Sequence, residues 1–411
     1  MMHPTRLTFP AVMAALLTAC GGAQGFSNIA ATFPFGLPLN ASSGAAINMG
    51  GAAAGVLNDH NVLLDNPANL GAITKTAFSG LLVLDGMRIT QGGRHSNHVA
   101  VSPRQISFAF PLGLAGVVAL SIQKETDATV RFFTDSVRLS TSGFFGRLGY
   151  HKSGGLTAWR AGWGRSIAGK AYVGAAYERL YLDIRSTKVI DLNNYPANST
   201  RDSTQVGFRG HGLHLGLMVP IAKATIGVAG RYVFKNDVES IQGQFRLNEE
   251  SALPGSRMKQ KSTLRIPPQG VLGVSYDFSP RWLAAMDLGV VGWREYSSHG
   301  ILADADRDYA VSYGIGGRFI PAPRLLAPKY WETMHYRLGF RYAQLPRESA
   351  REVSLAAGVG FPVKGGGLLD LVVNLGRRTD DAYDDYREDF VQINFGINGG
   401  RKWIRSSPTS Y

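Results

Sequence analysis

Five arginines, Arg160, Arg231, Arg318, Arg337 and Arg341, sit where large apolar and small polar residues alternate, each on the polar side of the alternation. His214 shares that placing. A guanidinium in a confined interior is costly unless a carboxylate or a ligand answers it. Two accounts of these residues stand together. Either they pair with acidic residues such as Asp59, Asp65, Asp287 and Asp370, or they take the head group of an anionic ligand, for instance a fatty acid carboxylate.

Other groupings carry less chemistry. Gly164 to Ala171 nearly spells a phosphate-binding loop, but the closing Ser or Thr is missing and strand-like alternation follows, so it reads as a hairpin turn. His95 and His98 fall in the first expected loop, and His211 lies close in sequence to His214; these read as solvated or lumen-facing imidazoles ahead of metal ligands. Asp380, Asp381, Asp384, Asp385, Glu388 and Asp389 gather between the last two strands. They read as a solvated loop, with calcium binding or cation bridging to lipopolysaccharide as the alternative. No Gly-x-Ser-x-Gly elbow or His-Glu-x-x-His helix is present, so no catalytic residue, metal or cofactor is assigned and the chain is not read as an enzyme.

Composition sets the frame for these side chains. The chain has 411 residues with 50 Gly, one Cys and a net charge of +13. One Cys excludes a disulfide framework and every multi-cysteine zinc site. The positive charges are spread along the chain without clustering, which argues against a nucleic-acid partner.

The first 25 residues read as an export signal. Arg6 precedes an apolar run from Leu7 to Leu17, followed by Thr18, Ala19, Cys20, Gly21 and Gly22. Two processing sites compete. Leu17-Thr18-Ala19-Cys20 has the form of a lipobox, which would make Cys20 a lipidated first residue, whereas Ala23-Gln24-Gly25 suits ordinary cleavage before Phe26. Nothing downstream is apolar for long enough to cross a bilayer as a helix.

From Thr76 onward the dominant period is two. Val391, Ile393, Phe395 and Ile397 alternate with Gln392, Asn394, Gly396 and Asn398, and the same pattern recurs along Leu369–Gly376, Val353–Phe361 and His335–Tyr342. Fourteen such segments run from 76–90 and 97–111 through 155–167 and 281–297 to 386–398, with the stretches 128–154, 187–202 and 239–258 expected as long loops. Short turns interleave with the long loops, although 321–331 is longer than its place requires. An even number of antiparallel strands with short turns at one end is the layout of an all-β, 14-stranded transmembrane barrel of the outer membrane. A soluble sandwich would carry a charged outer face, and here the polar faces are mostly Gly, Ser and Asn. The Gly excess belongs to those faces. The chain therefore divides into a signal (1–25), an N-terminal plug (26–75), a barrel (76–398) and a tail (399–411).

Before the barrel, Met49-Gly50-Gly51-Ala52 leads to Asn58-Asp59 and then Asn66-Pro67-Ala68-Asn69-Leu70. At these residues the sequence resembles the FadL-type family of outer-membrane long-chain fatty acid transporters. The resemblance implies a 14-stranded barrel plugged by its N-terminal segment, with hydrophobic or amphipathic substrates passing through the lumen and out by a lateral opening. It makes Asp59, Asn66, Pro67 and Ala68 the plug and gate residues. Asn69 in place of the usual Gly and Asp65 in place of an aromatic depart from the family pattern. The end, Phe390 to Phe395 running on to Trp403, resembles PorV-type barrels of secretion machines, which implies an alternative: a non-transporting adaptor whose partners are secretion or surface-attachment proteins. On either reading the surroundings are outer-membrane lipid.

Overall fold

In a computed structural model of the chain, the described residues are 33–39, 43–58, 61–91, 93–133, 137–138, 145–192, 200–246, 257–302, 305–323, 328–363, 366–383 and 385–401. Cys20, Asp59, Asp384 and the tail beyond Arg401 lie outside them.

Fourteen antiparallel strands close into a barrel. They are β1 (Thr76–Gln91), β2 (Arg94–Pro111), β3 in three pieces (Val117–Lys124, Val130–Phe133, Val137–Arg138), β4 (Phe145–Ile167), β5 (Ala171–Leu192), β6 (Thr200–Ile221), β7 (Ala224–Val233, Asn236–Arg246) and β8 (Met258–Leu264, Gln269–Asp277). β9 (Trp282–Val291), β10 (Ala310–Phe319), β11 (His335–Gln344), β12 (Ala350–Val363), β13 (Gly367–Asp380) and β14 (Arg387–Arg401) complete the ring. β14 returns to β1, with Thr76 opposite Arg401.

The alternation turns the barrel inside out relative to a soluble protein. Val391 and Phe395 are exposed, while Gln392, Asn394 and Asn398 between and beyond them are buried. Leu369, Leu371, Val373 and Leu375 of β13 and Leu338 and Phe340 of β11 extend the outward apolar face. Such a face is stable against lipid and not against water. At the short-turn end aromatics gather on it: Trp282 stacks on Phe319 with centroids 4.3 Å apart, and Tyr276 meets Phe278 edge-on at 4.8 Å. Amphipathic rings of this kind mark the bilayer interface.

Several boundaries differ from the sequence expectation, each for a local reason. β1 runs to Gln91 and β2 begins at Arg94, which pairs with Gln91, so His95 and His98 are strand residues and not loop residues. Most of 128–154 is strand, because β3 resumes at Val130 and β4 starts at Phe145. β9 stops at Val291, short of position 297, because the chain then folds inward through Trp293–Glu295 and buries Trp293. The inward face is also not uniformly polar. Towards the long loops, Leu156, Leu180, Leu182, Ile184, Val206, Phe208 and Leu264 point inward and pack with Phe35 and Trp293.

One stretch of wall is unlaced. Among the described residues, β2 pairs with β3 only from Gln105 (opposite Gln123) to Pro111, and its outer part from Arg94 pairs with β1 alone. Pro103 has no N–H to give, and Arg104 is the extra residue where the β1 register slips between Leu81 and Leu82. A proline and a bulge both end strand pairing. Beyond Lys124, β3 leaves the wall: Thr126 and Asp127 pair with Pro38 and Leu37 instead, and from Val130 the strand pairs only with β4.

Candidate functional site

The described residues of the segment before β1 lie inside the barrel and touch strands around the ring. Its seat is made by glycine. On the inward faces, a Cβ at Gly314 would lie 2.5 Å from the Gly50 carbonyl oxygen, at Gly273 2.6 Å from the Gly55 nitrogen, and at Gly164 2.7 Å from the Pro67 carbonyl oxygen. Any larger residue there would exclude the segment. A one-turn helix, Gly44–Ile47, is capped by Ser43, whose side chain accepts from Ala46 N at 3.1 Å. Pro67–Ala72 forms a 3-10 helix with Pro67 in its first turn, where no N–H is needed, and with Asn66 as cap. Asn66 accepts from Ala68 N at 3.1 Å and donates to the Ala54 carbonyl at 2.8 Å, which ties two parts of the segment together.

Polar side chains of the wall bind the segment's backbone. The Asp287 carboxylate accepts from Ala53 N at 2.9 Å and Ala54 N at 2.8 Å. Ser275 donates to the Gly55 carbonyl at 2.7 Å, and Gln105 to the Val62 carbonyl at 3.1 Å. Thr126 donates to the Phe35 carbonyl, so the inward excursion of β3 and the start of the segment are joined by side chain as well as by pairing.

Between this floor and a roof that includes Phe35, Leu39 and Trp293 lies a cavity of about 320 Å³. Its wall includes Asp65, Glu125, Arg160, His214, Arg231, Asp287 and Arg341. Glu178, wholly buried, holds the centre of the charge cluster. Its carboxylate accepts from Arg231 Nε at 2.7 Å and Arg160 Nε at 3.4 Å, with His214 Nε2 at 3.1 Å. Arg160 also reaches Glu125 at 2.6 Å, Gln123 at 2.8 Å and Asp65 of the segment at 3.6 Å; Arg231 reaches Glu125 at 3.2 Å. Within this cluster Arg160, Arg231 and Glu178 are each met by an opposite charge.

The other sequence candidates lie apart from that cluster. Arg337 pairs with Asp370, which also accepts from Asn398 at 2.9 Å. Arg341 lines the same cavity, and its Nε is buried without a hydrogen-bond partner. Arg318 is half-buried near the short-turn end of β10. His211 points to the outer face, towards Tyr177 and Arg179, so it does not join His214. Gly164 to Ala171 turns through Ala168 and Gly169, at φ 49° and 68°, between β4 and β5. Among the described residues no group of three or more His, Cys, Asp or Glu is placed to hold a metal. In the acidic loop Asp380 and Asp381 face Arg347 and Arg351 at 3.6 and 3.2 Å. The Tyr383 hydroxyl, helped by Asp380, raises the Arg347 guanidinium above its ordinary pKa.

Sequence reading missed Glu178, Glu125, Glu352 and Arg378. Arg378 joins Glu352 at 2.7 Å and Glu388 at 3.4 Å inside the barrel. The signal was available as a lone charge alternating with outward residues: Glu178 stands between Tyr177 and Arg179, which turn outward.

A second, smaller cavity of about 50 Å³ lies beside the unlaced edge of β2, lined among others by Asp85, Val99, Arg104, Asn374 and Asn394.

A closed 14-stranded antiparallel barrel with an apolar outer face and a filled lumen has the fold of FadL-type outer-membrane barrels. The toluene transporter TodX of Pseudomonas putida matches with a TM-score of 0.61 at 15% identity, over 89% of this chain and 100% of that one. A Pseudomonas aeruginosa FadL homologue matches at 0.59 and 15%, over 88% and 97%. The monoaromatic hydrocarbon channel CymD matches at 0.57 and 16%, also over 88% and 97%. The chain belongs to the BamG family, whose model matches residues 11–407. No curated protein matches it by sequence.

Proposed function

We propose that the protein is a passive outer-membrane conduit for hydrophobic and amphipathic small molecules, long-chain fatty acids among them, with residues 26–75 as plug and the turn at Asn66, Pro67 and Ala68 as gate. The observation that carries this reading is the unlaced wall between β2 and β3. In register, Val99 is level with Gly86 and Val391, and Val391 belongs to the outward apolar face. The gap therefore stands at the height of lipid and leads to a cavity edged by Leu37 and Leu39 of the segment. Movement of the segment would pull on Thr126 and Asp127, and so couple the floor to the gap. Relatives in fold carry names of hydrophobic-compound channels, which supports the substrate class. Proteoliposomes test it. The full chain is expected to pass toluene or oleate, and a chain lacking residues 26–70 to pass them faster and conduct ions. Unchanged uptake and conductance after that deletion would remove the gate.

A second reading, a non-transporting barrel that serves as adaptor for a secretion or surface-attachment machine, is favoured by the closeness of the segment's glycine seat. Recovery of a stoichiometric protein partner after mild crosslinking, with no ligand passage, would select it.

A further inference from the structure

The cavity beside β2 gathers several buried polar atoms without a partner into one small space, although Asn374 Nδ2 donates to Gln392 at 3.1 Å and Gln392 to the other Asp85 oxygen at 3.1 Å. Five such atoms from four side chains are buried without a hydrogen-bond partner: Asp85 Oδ1, Arg104 Nε, Asn374 Oδ1, and both Nδ2 and Oδ1 of Asn394. Asn394 is wholly buried and Asn374 is 5% exposed. Leaving such atoms unmatched costs free energy, so a chain that keeps them has a polar partner in view. The nearby charges are accounted for. Arg378 is held by Glu352 and Glu388, and Asp127 by Lys124 at 2.6 Å. What remains is Arg104 facing Asp85, a balanced pair with no ion pair between them.

We propose that this cavity is a head-group subsite for an uncharged, hydroxyl-bearing amphiphile, of the monoacylglycerol class, which enters sideways from the membrane. The proposal rests on the conduit reading and names its substrate class. Two of the five atoms donate and three accept, so a hydroxyl, which does both, satisfies the set. A carboxylate supplies acceptors only and meets Asp85; a hydrocarbon supplies neither. The volume suits a head of a few heavy atoms. The exposed Val99 at the gap leaves the acyl tail level with lipid.

The test uses the full chain in detergent, titrated with 1-monooleoylglycerol, oleate or hexadecane and read by native mass spectrometry. One monooleoylglycerol per chain is expected, bound at least about tenfold more tightly than oleate, as one or two extra hydrogen bonds provide. Asn394→Leu is expected to weaken monooleoylglycerol about tenfold, leave hexadecane unchanged and keep the thermal midpoint, because Asn394 makes no side-chain hydrogen bond in the chain itself. Asn374→Ser, a milder change, is expected to weaken it in the same direction and serves if the leucine variant does not fold. Equal binding of all three probes, or undiminished monooleoylglycerol binding in the variants, would overturn the subsite and indicate that only water fills it. Passage separates the two claims. If oleate crosses proteoliposomes while monooleoylglycerol binding ignores the variants, the conduit stands and the subsite fails; if monooleoylglycerol binds as expected but no probe crosses, the conduit fails and the subsite stands.

Discussion

The charge cluster around Glu178 and the cavity beside β2 occupy the same barrel and are built from the same residue types, yet they are finished differently. Around Glu178, two arginines, a histidine and the carboxylates of Glu125 and Asp65 answer one another within 3.6 Å. Beside β2, Asn394 and Asn374 carry polar atoms with nothing opposite them. The first arrangement holds the wall and the segment in place, since a buried charge without its partner is strongly destabilising. The second leaves part of its hydrogen-bonding capacity unused by the chain, as the proposed head-group subsite requires. A charged residue in a lumen is therefore no guide to ligand binding until its partners are known.

Substitutions can break this contrast. Glu178→Ala is expected to have the largest effect, because it strands Arg160 and Arg231 in the interior: a loss of about 3–5 kcal/mol, read as a fall in the urea midpoint of the refolded barrel. A loss below about 1 kcal/mol would mean that water reaches the cluster and that the two regions do not differ. Gly174→Val is next. Its side chain would meet Pro67 and Ala68, at a cost of about 1–3 kcal/mol, and should expose the segment to protease while the barrel stays closed on gel mobility. Asp287→Ala removes the acceptor for two amides of the segment, at about 1–3 kcal/mol, and should raise open-channel conductance in planar bilayers. Asn394→Leu should change stability by less than about 1 kcal/mol in either direction. A large loss there would show that Asn394 is structural and would erase the distinction.

Much of the fold was legible because strand alternation is a local property. A period of two with one greasy face states which side meets lipid, and fourteen repeats of it state the barrel. The places where the reading slipped are those where the chain leaves that period for a tertiary reason. Trp293 turns inward to stack near Phe35 with centroids 6.2 Å apart, which no local pattern announces. β3 breaks at Glu125 because residues from the N-terminal segment offer it a better partner than β2 does. The candidate arginines were visible as residues on a polar face, but alternation gives a face and not a neighbour. Arg160 meets Glu178 through the register of β4 on β5, and Asp65 through a segment nearly a hundred residues earlier in the chain.

The sequence by itself determined the class of molecule: a barrel with its apolar residues outward, small residues on its inner face, and a small-residue segment before the first strand. Those features depend only on which residues alternate and in what order. The tertiary structure decided which inner glycines seat the segment, which charges are closed into pairs, and where the wall is left open. Each of these depends on the ring's closing in one register, which brings side chains from distant strands within hydrogen-bonding distance or leaves them short of it.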